Sequence, residues 1–243
     1  MKRKSSLKAG VRRAKTAMLG ILDDHGFDRS ARESLAVDRS GAPLPMYTYP
    51  TIEYLDQLDW REHRVLEFGS GQSTLWWARR AREIWAVEHD DDWVARLREF
   101  SLPNVTCIFA MRPHVATGEN YVGVVPSGER FDVVVLDGLH YYDCARRIRQ
   151  FLAPAGLVIV DNADFYPATC RILRDGDFLQ VDMAGFKPTH RDAQVTSLFF
   201  DRAFDVPPRY ERQPVTCVGG KPSISPFDRS RTIRVQNGNV VIS

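Results

Sequence analysis

Four acidic side chains lie at the ends of apolar runs in this sequence and could bind a cation or a hydroxyl group. They are Glu67, Glu88, Asp137 and Asp161. An acid in such a position often only caps the helix that follows it, so one alone would mean little. Four of them in succession indicate a binding edge, because ionised carboxylates accept hydrogen bonds and neutralise positive charge.

A glycine-rich turn, EFGSGQS at residues 67–73, joins the first of these runs to a helix-like segment. A dinucleotide-binding turn has the pattern G-x-G-x-x-G, which lets a helix N-terminus approach a pyrophosphate. Here Gly69 and Gly71 are present, whereas Thr74 stands at the third glycine position. Glu67 would repel a pyrophosphate and attract a cationic group. The turn therefore favours a ligand that carries positive charge.

The acids must be positioned by regular structure, and the sequence around them alternates between strand-like and helix-length segments. The strand-like runs span residues 64–68, 83–88, 104–109, 131–137 and 156–161. Such apolar runs are typical of parallel strands covered on both faces. The alternation predicts a doubly wound α/β fold, in which ligands bind at the carboxyl ends of the strands. That edge is where the four acids stand.

Four motifs in a fixed order make the sequence resemble the class I S-adenosylmethionine-dependent methyltransferases. They are EFGSGQS, VEHD at 87–90, LDGLHYY at 136–142 and VDNAD at 160–164. The first matches the family pattern E/D-x-G-x-G-x-G except that Ser73 replaces the last glycine. The resemblance covers roughly residues 60–200 and implies a Rossmann-like, mostly parallel seven-stranded sheet. Residues 178–201 resemble the antiparallel hairpin that closes such sheets.

The resemblance implies S-adenosylmethionine as the cofactor, which carries an amino group and a sulfonium but no phosphate. Its expected contacts are Glu67, Gly69, Ser70, Gly71 and Ser73, then Glu88 at the ribose, His89 beside the adenosine, and Asp137. A short-chain dehydrogenase is disfavoured because no tyrosine is followed by a lysine four residues on. Methylation of nucleic-acid bases is disfavoured because the fourth strand ends in LDGLH and not in D/N-P-P-Y/F.

The last two motifs also resemble metal-dependent catechol-type and caffeoyl-coenzyme-A-type O-methyltransferases. This resemblance implies that Asp137, Asp161 and Asn162 hold one Mg²⁺, which would orient an acceptor hydroxyl and lower its pKa. In a second interpretation, Asp161 and Asn162 cap the helix that starts near Tyr166, and Asp137 binds loop amides or the cofactor. Because the D-G-x-H pattern also occurs in metal-independent relatives, both interpretations stay open.

His140 and Asp137 are the candidate catalytic residues. His140 lies three residues after Asp137 and could remove the acceptor proton, since an ordinary histidine titrates near neutral pH. A structural role or a cofactor contact is the alternative for His140. We expect O-methylation of a small hydroxylated acceptor such as a sugar or another metabolite. A nucleic-acid or protein methyltransferase, and a catalytically silent binding or assembly protein with the same fold, remain alternatives.

The N-terminal segment differs in charge from the rest of the chain. Seven lysines and arginines precede the first acid, Asp23, although the net charge of the 243-residue chain is only +2, which argues against nucleic acid as a partner. An apolar stripe from Leu7 to Leu22 predicts an amphipathic helix that stops near Gly26. This helix would pack on its own domain or on a second subunit, contact an anionic membrane surface, or bind nucleic acid.

We divide the chain into a basic helix with a linker (1–45), a cofactor-binding domain (46–200) and an extension (201–243). Tyr47 and Tyr49 would line the acceptor pocket or pack its lid. Asn237-Gly238 predicts a hairpin in the extension.

No apolar run is long enough to span a membrane, and the four cysteines lie too far apart for a zinc site or a disulfide framework. We expect a cytoplasmic protein whose membrane association, if any, uses the N-terminal helix.

Overall fold

A seven-stranded sheet forms the centre of the protein in a computed structural model that describes residues 2–211, 213–222, 233–236 and 239–242. Its strands are β1 (Arg64–Phe68), β2 (Glu83–Glu88), β3 (Val105–Phe109), β4 (Phe131–Leu136), β5 (Leu152–Val160), β6 (Leu179–Gly185) and β7 (Gln194–Phe200). Their order in space is β3-β2-β1-β4-β5-β7-β6. The first five strands are parallel, and β7 runs antiparallel to β5 and β6. The predicted α/β sheet with a closing hairpin is confirmed.

Two apolar cores cover the two faces of the sheet. Successive residues of a strand point to opposite faces, and accordingly Leu66 belongs to one core whereas Val65 belongs to the other. The helices that flank the sheet are α3 (Tyr49–Asp56), α4 (Gln72–Ala78), α5 (Asp91–Glu99), α6 (Arg112–Val115), α7 (Gly118–Val122), α8 (Tyr141–Arg146) and α9 (Pro167–Asp175). Trp76 and Trp77 of α4 are both buried in the second core.

The N-terminal helix is present as the sequence predicts. Helix α1 (Lys2–Asp24) precedes the short α2 (Phe27–Glu33). Gly26 separates them with a φ of 84°, and a Cβ there would lie 2.3 Å from the Asp38 carbonyl carbon. Glycine is thus required at this stop. Leu22 packs against the second core, whereas much of the apolar stripe before it is exposed.

The C-terminal extension ends in a two-stranded sheet. Strands β8 (Ile233–Gln236) and β9 (Asn239–Ile242) pair in antiparallel register, with Gln236 opposite Asn239. The pairing agrees with the predicted hairpin, although its turn, Asn237-Gly238, lies outside the described residues. Among the helices of the described segments, none is both long and apolar enough to cross a membrane.

Candidate active site

The sheet brings the predicted acids to one edge. The end of β1 pairs with the ends of β2 and β4, and the end of β4 pairs with that of β5. Asp137 and Asp161 therefore follow a pair of opposed residues, Leu136 and Val160. Glu67, Glu88 and Asp161 are buried. The carboxyl edge therefore gathers the acidic side chains that the strand ends predict.

Two glycines let the turns after β1 and β4 come into close contact. Gly69 has a φ of 101°, and a Cβ there would lie 2.4 Å from the carbonyl oxygen of Asp137. A Cβ on Gly138 would lie 2.8 Å from the backbone nitrogen of Gly69. Any side chain at either position would push the turns apart. The sequence interpretation recognised Gly69 but missed Gly138.

Thr74 replaces the third glycine of a dinucleotide turn, and the structure gives it a specific role. Its hydroxyl accepts a hydrogen bond from the Gly71 N–H at 3.1 Å and donates one to Glu67 Oε2 at 2.5 Å. Thr74 thereby ties the start of α4 to the acid at the end of β1. A glycine could not make this connection because it has no side chain.

Glu67 has an unsatisfied oxygen in a buried position. Its Oε1 atom has no hydrogen-bond partner among the described residues. Burial raises the pKa of Glu67 to about 7, an effect that hydrogen bonds from Ser73 and Thr74 oppose and the Glu88 carboxylate reinforces. A buried acceptor of this kind calls for a donor from a ligand. An ammonium group would satisfy it.

Glu88 is bonded through both of its oxygens to the surrounding loops. Oε2 accepts hydrogen bonds from the Ser70 backbone N–H at 2.9 Å and from the Ser70 hydroxyl at 2.5 Å. Oε1 accepts from the backbone N–H groups of His89 and Asp90. A ribose hydroxyl that approaches Glu88 must share or replace the Ser70 contact. The His89 ring is partly exposed beside this carboxylate.

Asp161 and Asn162 neither form an open metal site nor cap a helix, the two roles that the sequence suggested. Instead, Asp161 forms an ion pair with Lys187. The Lys187 ammonium lies 2.6 Å from Asp161 Oδ2, and the two side chains are only 2% and 1% exposed. The Thr196 hydroxyl donates to Asp161 Oδ1 at 2.8 Å. The Asn162 amide is best oriented with its nitrogen toward Asp161 and its oxygen toward Lys187, at 2.8 and 3.1 Å.

The contacts of Lys187 with Asp161 and Asn162 contradict the predicted magnesium site. Both oxygens of Asp161 are taken, and a positive group already lies where the predicted cation would bind. In the described part of the chain, no three or more His, Cys, Asp or Glu side chains form a group that could hold a metal. Helix capping is also wrong, since Asn162 makes no side-chain cap and Tyr166 is the residue before α9. The residues present do not fit a resident Mg²⁺.

Asp137 is the acid of the cluster that has no side-chain hydrogen bond to a described residue. Its pKa is raised well above the ordinary value, first by burial and then by the carboxylates of Asp161 and Glu67, while Lys187 acts in the opposite direction. Asp137 and Asp161 follow paired residues of neighbouring strands, and Lys187 contacts Asp161. Asp137 is free to accept a hydrogen bond from a ligand.

His140 is held by one of its two ring nitrogens. Nε2 lies 2.9 Å from the carbonyl oxygen of Val115. A carbonyl can only accept, so Nε2 must carry a proton and donate it. The ring also packs against Tyr121, with centroids 5.6 Å apart. The role of His140 as a base stays a prediction, and it is restricted to Nδ1.

Aromatic side chains surround the acids. Tyr141 stacks on Tyr166 with ring centroids 3.8 Å apart, and nearby Asp137 and Asp161 raise its pKa after the larger effect of burial. The fully buried Tyr47 accepts a hydrogen bond from Trp77 at 3.3 Å, and its pKa is raised by burial and then by Glu67 and Asp137. Tyr49 instead stacks on His25. Of the two tyrosines predicted at the pocket, only Tyr47 therefore adjoins the acids.

Lys187, Thr196, Tyr141 and Tyr166 were missed by the sequence interpretation. One signal could have identified the lysine. The chain contains six lysines, four of them before residue 16 and one at 221, so Lys187 is the only lysine among the 205 residues between Lys15 and Lys221. Arginine stands at every other Lys/Arg position in that stretch. A single lysine among many arginines suggests a site that needs a compact ammonium.

Known proteins share this domain. Residues 66–163 match the family model described as a methyltransferase domain. No curated protein sequence matches the chain. Among solved structures, the precorrin-8w decarboxylase of Methanobacterium thermoautotrophicum is 19% identical, with a TM-score of 0.45 over 70% of this chain and 97% of that chain. The precorrin-6y C5,15-methyltransferase of Geobacter metallireducens is 12% identical, with a TM-score of 0.48 over 70% and 96%.

These two structural similarities are too low to carry an argument about substrate. The matched segment runs from the first motif into the fourth, and it contains the strand ends that carry the acids at the carboxyl edge of the sheet. Residues 66–163 are a methyltransferase domain.

Proposed function

We propose that the chain is an S-adenosylmethionine-dependent methyltransferase that acts on a hydroxyl group of a small polar acceptor, such as a sugar or another hydroxylated metabolite. The observation that carries the proposal is the unbonded Asp137 carboxylate next to the buried Lys187–Asp161 pair. Carboxylate and ammonium groups together offer both acceptors and donors to a hydroxyl. Their burial favours an acceptor small enough to enter between the strand ends.

The residues of the first turn fit S-adenosylmethionine. Glu67 Oε1 lacks a donor among the described residues, and the amino group of the cofactor would supply one. Gly69, Ser70, Gly71 and Ser73 would form the turn around it, and Glu88 would hold the ribose. When bound, the cofactor supplies an electrophilic methyl group on a sulfonium.

In its ionised form, Asp137 would accept the hydrogen bond of the acceptor hydroxyl and take its proton as the methyl group is transferred, and its raised pKa makes that carboxylate a stronger base. His140 offers Nδ1 as a second proton acceptor, because Nε2 donates to Val115. Both residues would also orient the hydroxyl. In-line alignment and exclusion of water would supply most of the acceleration.

The test is detection of S-adenosylhomocysteine with panels of sugars, diols, RNA, DNA and peptides as acceptors. We expect product with hydroxylated small molecules. Product with nucleic acid or peptide alone would overturn the proposal. Calorimetry should show binding of S-adenosylmethionine and far weaker binding of NAD. A protein that binds the cofactor and methylates none of these classes would support the silent binding protein instead.

A further inference from the structure

We propose that Lys187 takes the place of a divalent cation in the acceptor site, so that its ammonium orients Asp161 and the acceptor oxygen and the reaction needs no metal. The inference that the acceptor oxygen is the target rests on the proposed O-methyl transfer. The inference that Lys187 excludes a metal does not, because ion binding can be measured without an acceptor or a cofactor.

The contacts of Lys187 are those expected of a bound cation. Its ammonium lies 2.6 Å from Asp161 Oδ2 and, with the amide in its preferred orientation, 3.1 Å from the Asn162 oxygen. It is also close enough to act on Asp137. These are the three residues that the sequence predicted as ligands of one Mg²⁺.

One donor of the ammonium remains for a ligand. A lysine ammonium has three N–H donors, and the described residues accept two of them, at Asp161 and Asn162. A buried donor without a partner is unfavourable. An oxygen of the acceptor would satisfy it, in the position where a metal would otherwise hold that oxygen.

The fold keeps Lys187 in this position through its neighbours. The residue before it, Phe186, accepts a hydrogen bond from the backbone N–H of Tyr49 at 2.8 Å. Thr48 donates through its N–H to the Thr196 hydroxyl at 3.0 Å, and that hydroxyl donates to Asp161. The connection between β6 and β7 is thus attached to residues 48–49, and the ammonium is directed at Asp161.

A metal and this ammonium would compete for the same ligands. A divalent ion bound to Asp161 would need an oxygen that now accepts from Lys187 or Thr196, and it would be repelled by the adjacent positive charge. Removal of the ammonium, with the acids retained, should therefore create a cation site. This expectation separates replacement of a metal from an ordinary structural ion pair.

The experiment measures Mn²⁺ binding by electron paramagnetic resonance on the full chain. Wild type and Asp161→Asn should show the same Mn²⁺ binding, because Asp161 holds no ion in wild type. Lys187→Met should bind about one Mn²⁺ per chain, as expected for an oxygen-ligand site, and Lys187→Met/Asp161→Asn should lose it. Lys187→Arg is the matched control, because it keeps the charge and should bind none.

Two results would overturn the proposal. One is binding of about one Mn²⁺ by wild type that a folded Asp161→Asn protein loses. The other is a folded Lys187→Met protein that binds no Mn²⁺. If Lys187→Met is too unstable alone, Mn²⁺ should raise its melting temperature but not that of Lys187→Arg, and equal effects on both would count against the replacement.

The catalytic part is tested separately once an acceptor is known. Wild-type turnover should be unchanged after exhaustive chelation, and Lys187→Arg should raise the KM for the acceptor while the affinity for S-adenosylmethionine stays within about twofold, since Lys187 is assigned to the acceptor side. Loss of turnover on chelation would overturn metal-free catalysis. Failure to find any hydroxylated acceptor would instead contradict the proposed function and leave the Mn²⁺ results standing.

Discussion

The carboxylate of Glu67 should make stability depend on pH. Its pKa rises from 4.5 to about 7 on folding, so between these values the folded protein binds more protons than the unfolded chain. Stability without cofactor should therefore fall as pH rises from about 4.5 to about 7 and then level off. The raised pKa corresponds to a loss of about 3 kcal/mol in the free energy of unfolding across this range.

Glu67→Gln should remove this dependence. Denaturant unfolding across the pH range measures the free energy of unfolding of both proteins. From acidic to mildly alkaline solution, that of Glu67→Gln should rise by about 3 kcal/mol relative to that of wild type. Asp59→Asn is a control at an acid whose pKa is lowered by its hydrogen bonds to Arg61. Parallel stability curves for wild type and Glu67→Gln would contradict the assigned burial.

The hydroxyl of Thr74 should matter more than its methyl group. Thr74→Val keeps the shape but leaves the Gly71 N–H and Glu67 Oε2 without the partner they share, which should destabilise the protein by about 2 kcal/mol. Thr74→Ser should recover most of the loss. Denaturant unfolding measures both variants, and equal stability of the valine and serine proteins would show that the bridge is unimportant.

The contact between the glycine turn and the end of β2 gives a prediction about the cofactor. Glu88→Ala should weaken S-adenosylmethionine binding by about 10- to 150-fold, the equivalent of a hydrogen bond to a charged group. Ser70→Ala removes only the side chain that donates to Glu88 Oε2. If a ribose hydroxyl replaces this donor, the Ser70→Ala protein should bind S-adenosylmethionine as tightly as wild type or more tightly.

Calorimetry with both variants distinguishes the two roles of Glu88. An unchanged affinity in Glu88→Ala would mean that the acid only fastens the turn. A large loss in Ser70→Ala would mean that the turn must be held by Ser70 before the cofactor binds. Circular dichroism of each protein is the control for folding.

The elements of the sheet could be predicted more fully than the site between them. β1 and β2 begin and end where the apolar runs do, because a buried parallel strand must be apolar along its length. β5 begins at Leu152 and not at 156, since its first residues include Pro154 and then Ala155 with a φ of 61°. A proline in a run normally argues against a strand.

The site was predictable where it depends only on strand ends. In a parallel sheet these ends must be neighbours, so the four acids could be brought together without coordinates. The Lys187–Asp161 pair joins residues 26 positions apart through the connection that follows β6. No periodicity specifies how that connection turns, which is why the sequence predicted a metal where the structure has an ammonium.

At the scale of the whole molecule, helix α1 presents apolar and basic side chains to solvent. Val11 is 62% exposed and Met18 49%, and Arg12, Arg13 and Lys15 are exposed beside them. Exposed apolar side chains on one helix face favour a further surface to cover them. Two such helices would repel each other through their charges, so an anionic membrane surface is the expected contact, with each nearby basic residue contributing about 1 kcal/mol.

Deletion of residues 1–18 should abolish sedimentation with phosphatidylserine-containing vesicles and leave cofactor affinity within about twofold, because the described side chains of the helix reach the core near its end, at Leu22. Binding of the intact chain should fall steeply with salt and be absent on neutral phosphatidylcholine vesicles. Met18→Asp is the matched point variant, since it lowers apolar area without removing a basic residue. A dimer that the deletion converts to a monomer, with no vesicle binding by the intact chain, would show that a second subunit covers the helix instead.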